Sequence, residues 1–507
     1  MKQMNHIISK LILMSVLLMS AAACTDLDEE PVGLLSPESF FKTQADAEAA
    51  VMGSYSWVAS EYLYGRRLLI TLQLLSDMCD IGDIGTASQR VQMNNFVTDG
   101  NNGMITDMWP IFYQVIGAAN AAIDGIPSVA MNEDYKNQLI AEAKMVRALC
   151  YYHMVQLWGD IPYVGSFVSD PASVKDISKT PKQEIYNRII ADCEEGVKYL
   201  PNKYESDIRS RPTKGSALTM LASVYLTLKD YAKAAQYAEE IINNASVYGY
   251  ALMEDYQDLW KGDLGNHKEQ IWAVDFKGST QGSVYPQNVD FMAPITGVRD
   301  ADMKGWSVVV PSPGVYASFD NRDYRKKVNF LTETPVNGVM TPYTAWRWPR
   351  IHMAKWCLYP GSNATQDGTL SDHNYNIFRY AEVLLMAAEA INESAGNPTA
   401  KAYEYINAVR ARARNYHGTL TDFPANLQTG MSQTEFRAAV REERRVELAF
   451  EWKRWYDLVR WGIAKEAFTG PGSYEPHANF QDYHTLLPLP QDELDRNPNL
   501  LPQNPGY

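Results

Sequence analysis

Apolar residues recur every three to four positions along much of this chain, which is the spacing of one face of an α-helix. Between Pro37 and Pro201 the pattern predicts helices over residues 38–57, 109–123 and 136–158. It returns over residues 375–393, 398–414 and 434–461, before an extended, proline-rich tail. The chain is therefore predicted to be mainly α-helical.

One predicted helix pair has the spacing of a tetratricopeptide repeat. Its apolar positions are Leu218, Leu221, Ala222, Tyr225, Ala234 and Ala238. Small residues let two antiparallel helices approach closely, and Tyr225 fills the gap that they leave. A weaker copy spans residues 384–400, and Ala148 and Tyr151 begin a third copy that lacks its second helix. One good unit and two partial units predict a tetratricopeptide-like α-α superhelical scaffold.

Residues 251–372 lose the helical period and accumulate Pro, Gly and aromatic residues. We expect this segment to fold against the helices, because disordered segments are poor in aromatic side chains. Trp346 and Trp348 stand at alternate positions within it, so an extended backbone presents both indoles on one face. Flat aromatic rings receive the apolar C–H faces of sugars, and Trp306 and Tyr343 are further candidates for such a platform. The alternative is that these rings attach the segment to the helices.

A polar stretch over residues 77–102, rich in Gly, Asp and Asn, is predicted to be a loop that projects from the helices. Its carboxylate, guanidinium and amide groups can make paired hydrogen bonds with neighbouring sugar hydroxyls. The candidate ligand contacts are Asp80, Arg90, Asn94 and Asn95. Asp77, Asp80 and Asp83 also repeat every third residue, but they lack the order of a calcium-binding EF-hand loop, so no metal site is predicted.

Glu447 and Glu451 lie one turn apart on the predicted helix 434–461 and could be paired catalytic carboxylates. Arg444 and Arg454 stand three residues from them, however, and this spacing favours ion pairs along a helix surface. A single helix also places both carboxylates on one side of a substrate, whereas a glycosidase needs them on both sides of the scissile bond. The chain has no metalloprotease, serine-hydrolase, Walker or dinucleotide motif. No catalytic residue and no cofactor is predicted.

Composition narrows the range of partners. The 507 residues are 46% hydrophobic, which is enough to bury a sizeable core, and their formal net charge is −14. This charge argues against nucleic acid or an anionic membrane surface as the main partner. Besides Cys24, the cysteines are Cys79, Cys150, Cys193 and Cys357. Their wide spacing matches no zinc or redox motif, and we expect no disulfide among them.

The N-terminus has the pattern of a secretory signal. Residues 11–19 are almost wholly apolar, and Ala21 to Ala23 supply the small residues required for cleavage. Since this run is about half of the ~20 residues that span a bilayer, we interpret it as a removed signal. Cys24 follows directly, as in bacterial lipoprotein signals in which this cysteine is lipidated, although Ala21 occupies a position that is usually Leu. The acidic residues 25–30 predict a tether.

Several motifs resemble the SusD/RagB family of Bacteroidetes surface lipoproteins. They are RALCYY at 147–152, LWGDIP at 157–162, RYAEVLLM at 379–386, ELAFE at 447–451, RWYDLVRWG at 454–462, NPNL at 497–500 and QNPGY at 503–507. The resemblance spans about residues 46–507. It implies a mainly helical, tetratricopeptide-like protein that is anchored by a lipid such as palmitate on Cys24, at the outer face of the outer membrane. It also implies capture of an oligosaccharide without cleavage and delivery to a SusC-like, TonB-dependent transporter.

The predicted organisation is a signal (1–23), a tether (24–36), an N-terminal helical region (37–250) and a C-terminal region (251–507) in one compact unit. The C-terminal region is loop-rich over 251–372 and consists of helices and an extended tail over 373–507. Capture would use a platform within residues 285–348 and hydrogen bonds from residues 80–95. Three alternatives remain open: a peptide-binding member of the same family, a secreted glycoside hydrolase, and a tetratricopeptide-type protein-interaction module.

Overall fold

The computed structural model describes residues 40–206, 208–279, 289–365 and 370–507. The signal, Cys24 and the acidic tether lie outside these ranges. The helices are α1 (Gln44–Val58), α2 (Arg67–Leu74), α3 (Ser88–Asn94), α4 (Gly103–Gly125), α5 (Glu133–Trp158), α6 (Lys182–Tyr199), α7 (Lys214–Thr227), α8 (Tyr231–Asn243), α9 (Ala245–Tyr248), α10 (Met292–Thr296), α11 (Pro313–Ser318), α12 (Tyr324–Asn329), α13 (Ala354–Cys357), α14 (Tyr380–Ala395), α15 (Ala400–Ala413), α16 (Gln433–Glu447), α17 (Arg454–Trp461), α18 (Ala464–Thr469) and α19 (Gln491–Arg496). The strands are β1 (Cys79–Ile81), β2 (Gln270–Val274), β3 (Val309–Pro311), β4 (Phe330–Leu331), β5 (Glu333–Val336), β6 (Val339–Pro342), β7 (His352–Met353), β8 (Tyr375–Arg379), β9 (Asn415–Tyr416) and β10 (Thr419–Leu420).

Consecutive helices pack in pairs and form the scaffold. α5 packs on α6, α7 on α8 and α14 on α15, and α8 also packs on α14. The six apolar positions that predict the α7–α8 pair are all buried, and Tyr225 stacks on Tyr237 with ring centroids 5.7 Å apart. The prediction of a mainly α-helical, tetratricopeptide-like fold is confirmed. One detail is corrected, because α6 supplies the second helix that the third unit was predicted to lack.

Two short antiparallel strand pairs, β1–β3 and β2–β8, attach the loop-rich segment to this scaffold. The full set of strand pairs within the described ranges is β1–β3, β2–β8, β4–β7, β5–β6 and β9–β10. β8 leads directly into α14, so the helix predicted from residue 375 begins instead at Tyr380. Tyr380 N donates to Glu269 O at 2.8 Å, which joins the start of α14 to the β2 region. One hydrophobic cluster contains buried residues from both halves of the chain, for example Leu68 and Trp455.

The predicted helix 434–461 is in fact two helices, α16 and α17, separated by residues 448–453. Phe450 and Trp452 have φ values of 62° and 53°, in the left-handed region that interrupts a right-handed helix. A backbone carbonyl freed by this interruption accepts hydrogen bonds from other parts of the protein. Phe450 O accepts hydrogen bonds from Gln73 Nε2 at 3.1 Å and from Trp356 Nε1 at 3.2 Å.

Glu447 and Glu451 lie in a buried ion network, so the predicted surface pairs with Arg444 and Arg454 are wrong. Arg379 Nη1 lies 2.6 Å from Glu447 Oε1, and Arg379 Nε lies 2.7 Å from Glu451 Oε2. The network also contains Glu269, Arg325, Lys355, Arg412 and Glu443. Burial acts to raise the pKa of Glu447, but the surrounding arginines outweigh it and lower that pKa to about 2. Both carboxylates are buried and engaged in this network.

Residues 77–102 do not form a projecting loop, which corrects the prediction. They contain β1 and α3, and Asp77, Asp80 and Asp83 are buried. Each carboxylate pairs with an arginine from a distant segment: Asp77 with Arg454, Asp80 with Arg350, and Asp83 with Arg299. Within the described ranges, no group of three His, Cys, Asp or Glu side chains is placed to hold a metal ion.

The four described cysteines, Cys79, Cys150, Cys193 and Cys357, are free and buried. Burial raises the pKa of all four thiols, and that of Cys357 reaches about 12. None of the described helices is both long enough and apolar enough to cross a bilayer.

Candidate functional site

The β1–β3 pair brings the two predicted contact regions together. Its ladder continues past the strand ends, where Gly82 N donates to Val308 O at 3.0 Å and Asp83 N donates to Ser307 O at 2.6 Å. A Cβ atom at position 82 would lie 2.4 Å from Ser307 O, so this close approach requires glycine. Trp306 is thereby placed beside the turn that leads from β1 into α3.

Trp306 and Phe291 form a half-buried aromatic pair. Their ring centroids are 5.6 Å apart, and the ring planes are inclined at 36°. The backbone fixes this arrangement, since Trp306 N donates to Pro294 O at 2.6 Å and Ser307 N donates to Gly297 O at 2.8 Å. Both rings pack against the hydrophobic core while part of each ring stays accessible. We call this pair the aromatic platform.

Arg66, at the start of α2, lies at the edge of the aromatic platform, and Arg67 is the next residue. The guanidinium carbon of Arg66 lies 4.9 Å from the centroid of the Phe291 ring, and Arg66 Nη2 pairs with Glu61 at 2.7 Å. Arg67 Nη2 pairs with Asp107 at 2.6 Å. Each of these guanidinium groups therefore has its own carboxylate.

Arg90 on α3 is a third guanidinium at this site. Its Nη1 donates to Thr86 Oγ1 at 3.0 Å, while its Nε is buried without a hydrogen-bond partner among the described residues. Asn102 Nδ2 donates to Gln89 O at 3.0 Å and ties α3 to the start of α4, where Arg67 also binds. Burial, together with the charges of the two other arginines, lowers the pKa of Arg90 to about 10.

A second polar group surrounds Asp80 on β1. Asn94 Nδ2 lies 3.0 Å from Asp80 Oδ1, and Arg350 Nη2 lies 2.8 Å from Asp80 Oδ2. Burial raises the pKa of Glu475 to about 7, and the neighbouring Asp80 carboxylate adds to that rise. Two sequence-predicted residues, Asp80 and Asn94, are thus in direct contact; both Asp80 oxygens are engaged within the protein, whereas Asn94 Oδ1 is buried without a hydrogen-bond partner among the described residues.

The structure separates the other predicted residues. Trp346 is only 6% exposed and lies edge-on to His352 with centroids 5.2 Å apart, in a small apolar cluster beside the half-buried Tyr343. Trp348 is half-buried, and Asn95 is exposed at the end of α3. Trp346 and Trp348 therefore do not present two open indoles on one face. Tyr285, at the start of the predicted platform segment, lies outside the described residues.

Of the predicted contacts, Arg90 and Trp306 belong to the aromatic platform and its arginines. Sequence reasoning missed Phe291, Arg66 and Arg67 as site residues. Phe291 was visible only as one of many aromatics, and nothing in the spacing linked it to a pair of arginines more than two hundred residues earlier. The only local indication of this site in the sequence is that Arg66 and Arg67 are adjacent and closely follow the aromatic residues Tyr62 and Tyr64.

Comparison with known proteins agrees with this architecture. A sequence profile of the SusD family matches residues 268–507, and a profile described as starch-binding, associating with outer membrane, matches residues 34–226. SusD-like protein P2 of Formosa agariphila is 44% identical over 97% of this chain and 98% of its own length.

Solved structures share the fold. A SusD homologue from Bacteroides thetaiotaomicron aligns with a TM-score of 0.82 at 23% identity, covering 93% of this chain and 98% of its own. Surface glycan-binding protein A from the same species, solved in complex with laminarihexaose, aligns with a TM-score of 0.74 at 22% identity, covering 91% and 99%. The helical pairs, the profile matches and the 44% identical relative lead to one assignment: this chain belongs to the SusD family.

Proposed function

We propose that this protein binds a nutrient oligosaccharide on the aromatic platform at the cell surface and delivers it, uncleaved, to a SusC-like, TonB-dependent outer-membrane transporter. The observation that carries the proposal is the half-buried Phe291–Trp306 pair, fixed by backbone hydrogen bonds and bordered by guanidinium groups. Sugar rings combine apolar C–H faces with hydroxyls, and this site offers a flat apolar surface beside hydrogen-bond donors.

The relatives support the same class of ligand. One structural neighbour holds laminarihexaose, and one matching profile is described as starch-binding. The location of Glu447 and Glu451 in a buried ion network speaks against the hydrolase alternative, because neither carboxylate can approach a glycosidic bond. The site thus supports binding and not bond cleavage.

Trp306→Ala is expected to weaken glycan binding at least tenfold. A sugar ring that covers roughly 60–100 Å² of the indole gains about 1.5–2.5 kcal/mol at about 25 cal/mol per Å². Titration calorimetry against a panel of oligosaccharides and peptides measures the affinity. Tyr359→Ala is the matched control, because it removes a 45% exposed aromatic ring outside this site and should leave affinity unchanged.

Unchanged affinity in Trp306→Ala would place the ligand elsewhere on the protein. Binding of peptides alone would favour the peptide-binding alternative. Chromatography of the same mixtures after incubation tests the third possibility, since release of shorter sugars would support a hydrolase. Detergent extraction followed by purification of this chain should recover a large β-barrel protein, whereas a soluble peptide partner would favour an interaction module.

Cys24→Ala is expected to abolish incorporation of labelled palmitate and to release the protein from the membrane fraction, because the thiol of Cys24 is the proposed site of lipidation. Cell fractionation and fatty-acid labelling measure the two effects. Cys357→Ala is the control, since this thiol is buried and the variant should keep its label. Mass spectrometry that finds an unmodified Cys24 on the mature protein would rule out the anchor and leave the glycan site untouched.

A further inference from the structure

The aromatic platform lies in a locally cationic environment on an acidic protein. The formal net charge of the chain is −14, yet three arginines lie near one another here: Arg66 and Arg67 are adjacent, Arg67 binds Gly103 O, and Gln89, next to Arg90, binds Asn102. Glu61 neutralises Arg66, and Asp107 neutralises Arg67. Arg90 has no carboxylate partner among the residues that the structure describes, so one positive charge is left without compensation.

Nearby acidic groups are already engaged. Asp83, in the turn that precedes α3, pairs with Arg299. Asp80 pairs with Arg350 and accepts a hydrogen bond from Asn94. Residues 280–288, which precede Val289 and Phe291 in the chain, contain neither Asp nor Glu. Asp290, the residue before Phe291, accepts hydrogen bonds from Ser371 and Tyr375, so none of these carboxylates of the described chain pairs with Arg90.

Holding this charge is unfavourable in the free protein. Arg90 is partly buried, its Nε has no hydrogen-bond partner within the described structure, and Arg66 and Arg67 repel its charge. A bound oxyanion would offset the repulsion, because a guanidinium can make two parallel hydrogen bonds to a carboxylate or a sulfate and their opposite charges attract. Neutral hydroxyls would satisfy the donors but leave the repulsion in place.

Building on the proposed function, we propose that the glycan bound at the aromatic platform is anionic, and that Arg90 pairs with a sulfate ester or a uronate carboxylate while the adjacent sugar ring lies on Trp306. The two anion sources share one chemistry, a planar or pyramidal set of oxygens that accepts a guanidinium fork. Arg66 and Arg67 are each paired with a carboxylate and do not need to contact the ligand.

The test uses the full mature chain and pairs of glycans that differ only in charge. Carrageenan is compared with its desulfated form, polygalacturonate with its carboxyl-reduced form, and laminarin serves as a neutral glycan. We expect the charged member of one pair to bind at least tenfold more tightly than its neutral counterpart. The first pair detects a sulfate requirement, and the second detects a carboxylate requirement. Affinity should also fall when NaCl is raised from 50 to 200 mM, because salt screens the attraction.

Three variants test whether Arg90 produces the preference for charged glycans. Arg90→Gln should reduce the charged-to-neutral affinity ratio to near one, whereas Arg90→Lys should keep a ratio above one at weaker affinity because it retains the charge without the fork. Arg188→Gln is the matched control: this arginine is exposed on α6, pairs with Glu184 at 3.0 Å, and its loss should not change the ratio.

The outcomes separate this inference from the proposed function. Equal binding of charged and neutral members, with Trp306→Ala still weakening both, would overturn the anionic ligand and leave glycan binding at the platform standing. A charge preference that survives Arg90→Gln would also overturn it. Glycan binding that ignores Trp306→Ala, or no binding to any member of the panel, would overturn both proposals.

Discussion

Arg379→Met is expected to lower the free energy of unfolding by about 3–5 kcal/mol, because it removes a buried cation that pairs with three buried carboxylates. Arg379 is 1% exposed and pairs with Glu269, Glu447 and Glu451 at 2.6–2.7 Å. Its Nη2 also donates to Glu447 O at 2.7 Å. Removing the guanidinium therefore disrupts three ion pairs and a backbone hydrogen bond that lies where α16 ends.

Urea unfolding of the wild-type protein and the variant measures this loss. Arg379→Lys restores the charge but not the planar fork, so its loss should be smaller than that of the methionine variant. Arg188→Gln, which disrupts an exposed ion pair, should cost at most about 1 kcal/mol. A methionine variant that loses less than about 1 kcal/mol would mean that the network does not contribute as its geometry indicates.

Acidification from pH 6.5 to 4.5 is expected to destabilise the fold through its buried histidines. Burial is the main cause that lowers the pKa of His153 and His267 to about 3, and of His352 and His373 to about 4. These rings stay neutral in the folded protein but bind a proton in the unfolded chain below about pH 6.5. Each therefore contributes stability that is complete above pH 6.5 and decreases by about 1.4 kcal/mol per pH unit as the pH falls towards its folded pKa.

Buried acids act in the opposite direction over the same range. Burial raises the pKa of Asp275 and Asp290 to about 6 and that of Glu475 to about 7, so these groups take up protons in the folded state. The contribution of one histidine to the pH dependence of stability can be measured with a variant. Between pH 6.5 and 4.5, the free energy of unfolding of His352→Gln should fall by about 2–3 kcal/mol less than that of the wild-type protein.

The comparison uses urea unfolding at pH 8, 6.5 and 4.5. One ring nitrogen of His352 lies 2.8 Å from Arg350 O, and the other lies 2.8 Å from Ser307 Oγ. Loss of these contacts changes stability equally at every pH, so the difference between pH 8 and 6.5 serves as an internal control. Parallel loss of stability in both proteins from pH 6.5 to 4.5 would contradict a neutral, buried His352.

The sequence predicts those parts of the fold that depend on neighbouring positions. The small and large apolar residues of α7 and α8 stand at fixed intervals, and those intervals alone determine which helix faces meet. The same logic failed for the second helix of the α5 unit, because a long irregular connection separates α5 from α6 and hides the pairing.

Partners that are distant in sequence could not be predicted from spacing. Glu447 has arginines at helical spacing, yet its carboxylate pairs with Arg325, Arg379 and Arg412, which come from three other segments. The candidate site is also formed by residues that are distant in sequence. Phe291, Trp306 and Arg66 meet only because β1 pairs with β3 and because Phe291 N donates to Gly65 O at 2.9 Å. Periodicity carries no information about such contacts.

The four buried thiols have a consequence for how the fold is stabilised. Thiol exchange proceeds through the thiolate, and burial raises the pKa of each thiol while also denying access to an oxidant. Helix packing and internal ion pairs thus stabilise the described part of the chain, and the described fold forms without a disulfide among these four cysteines.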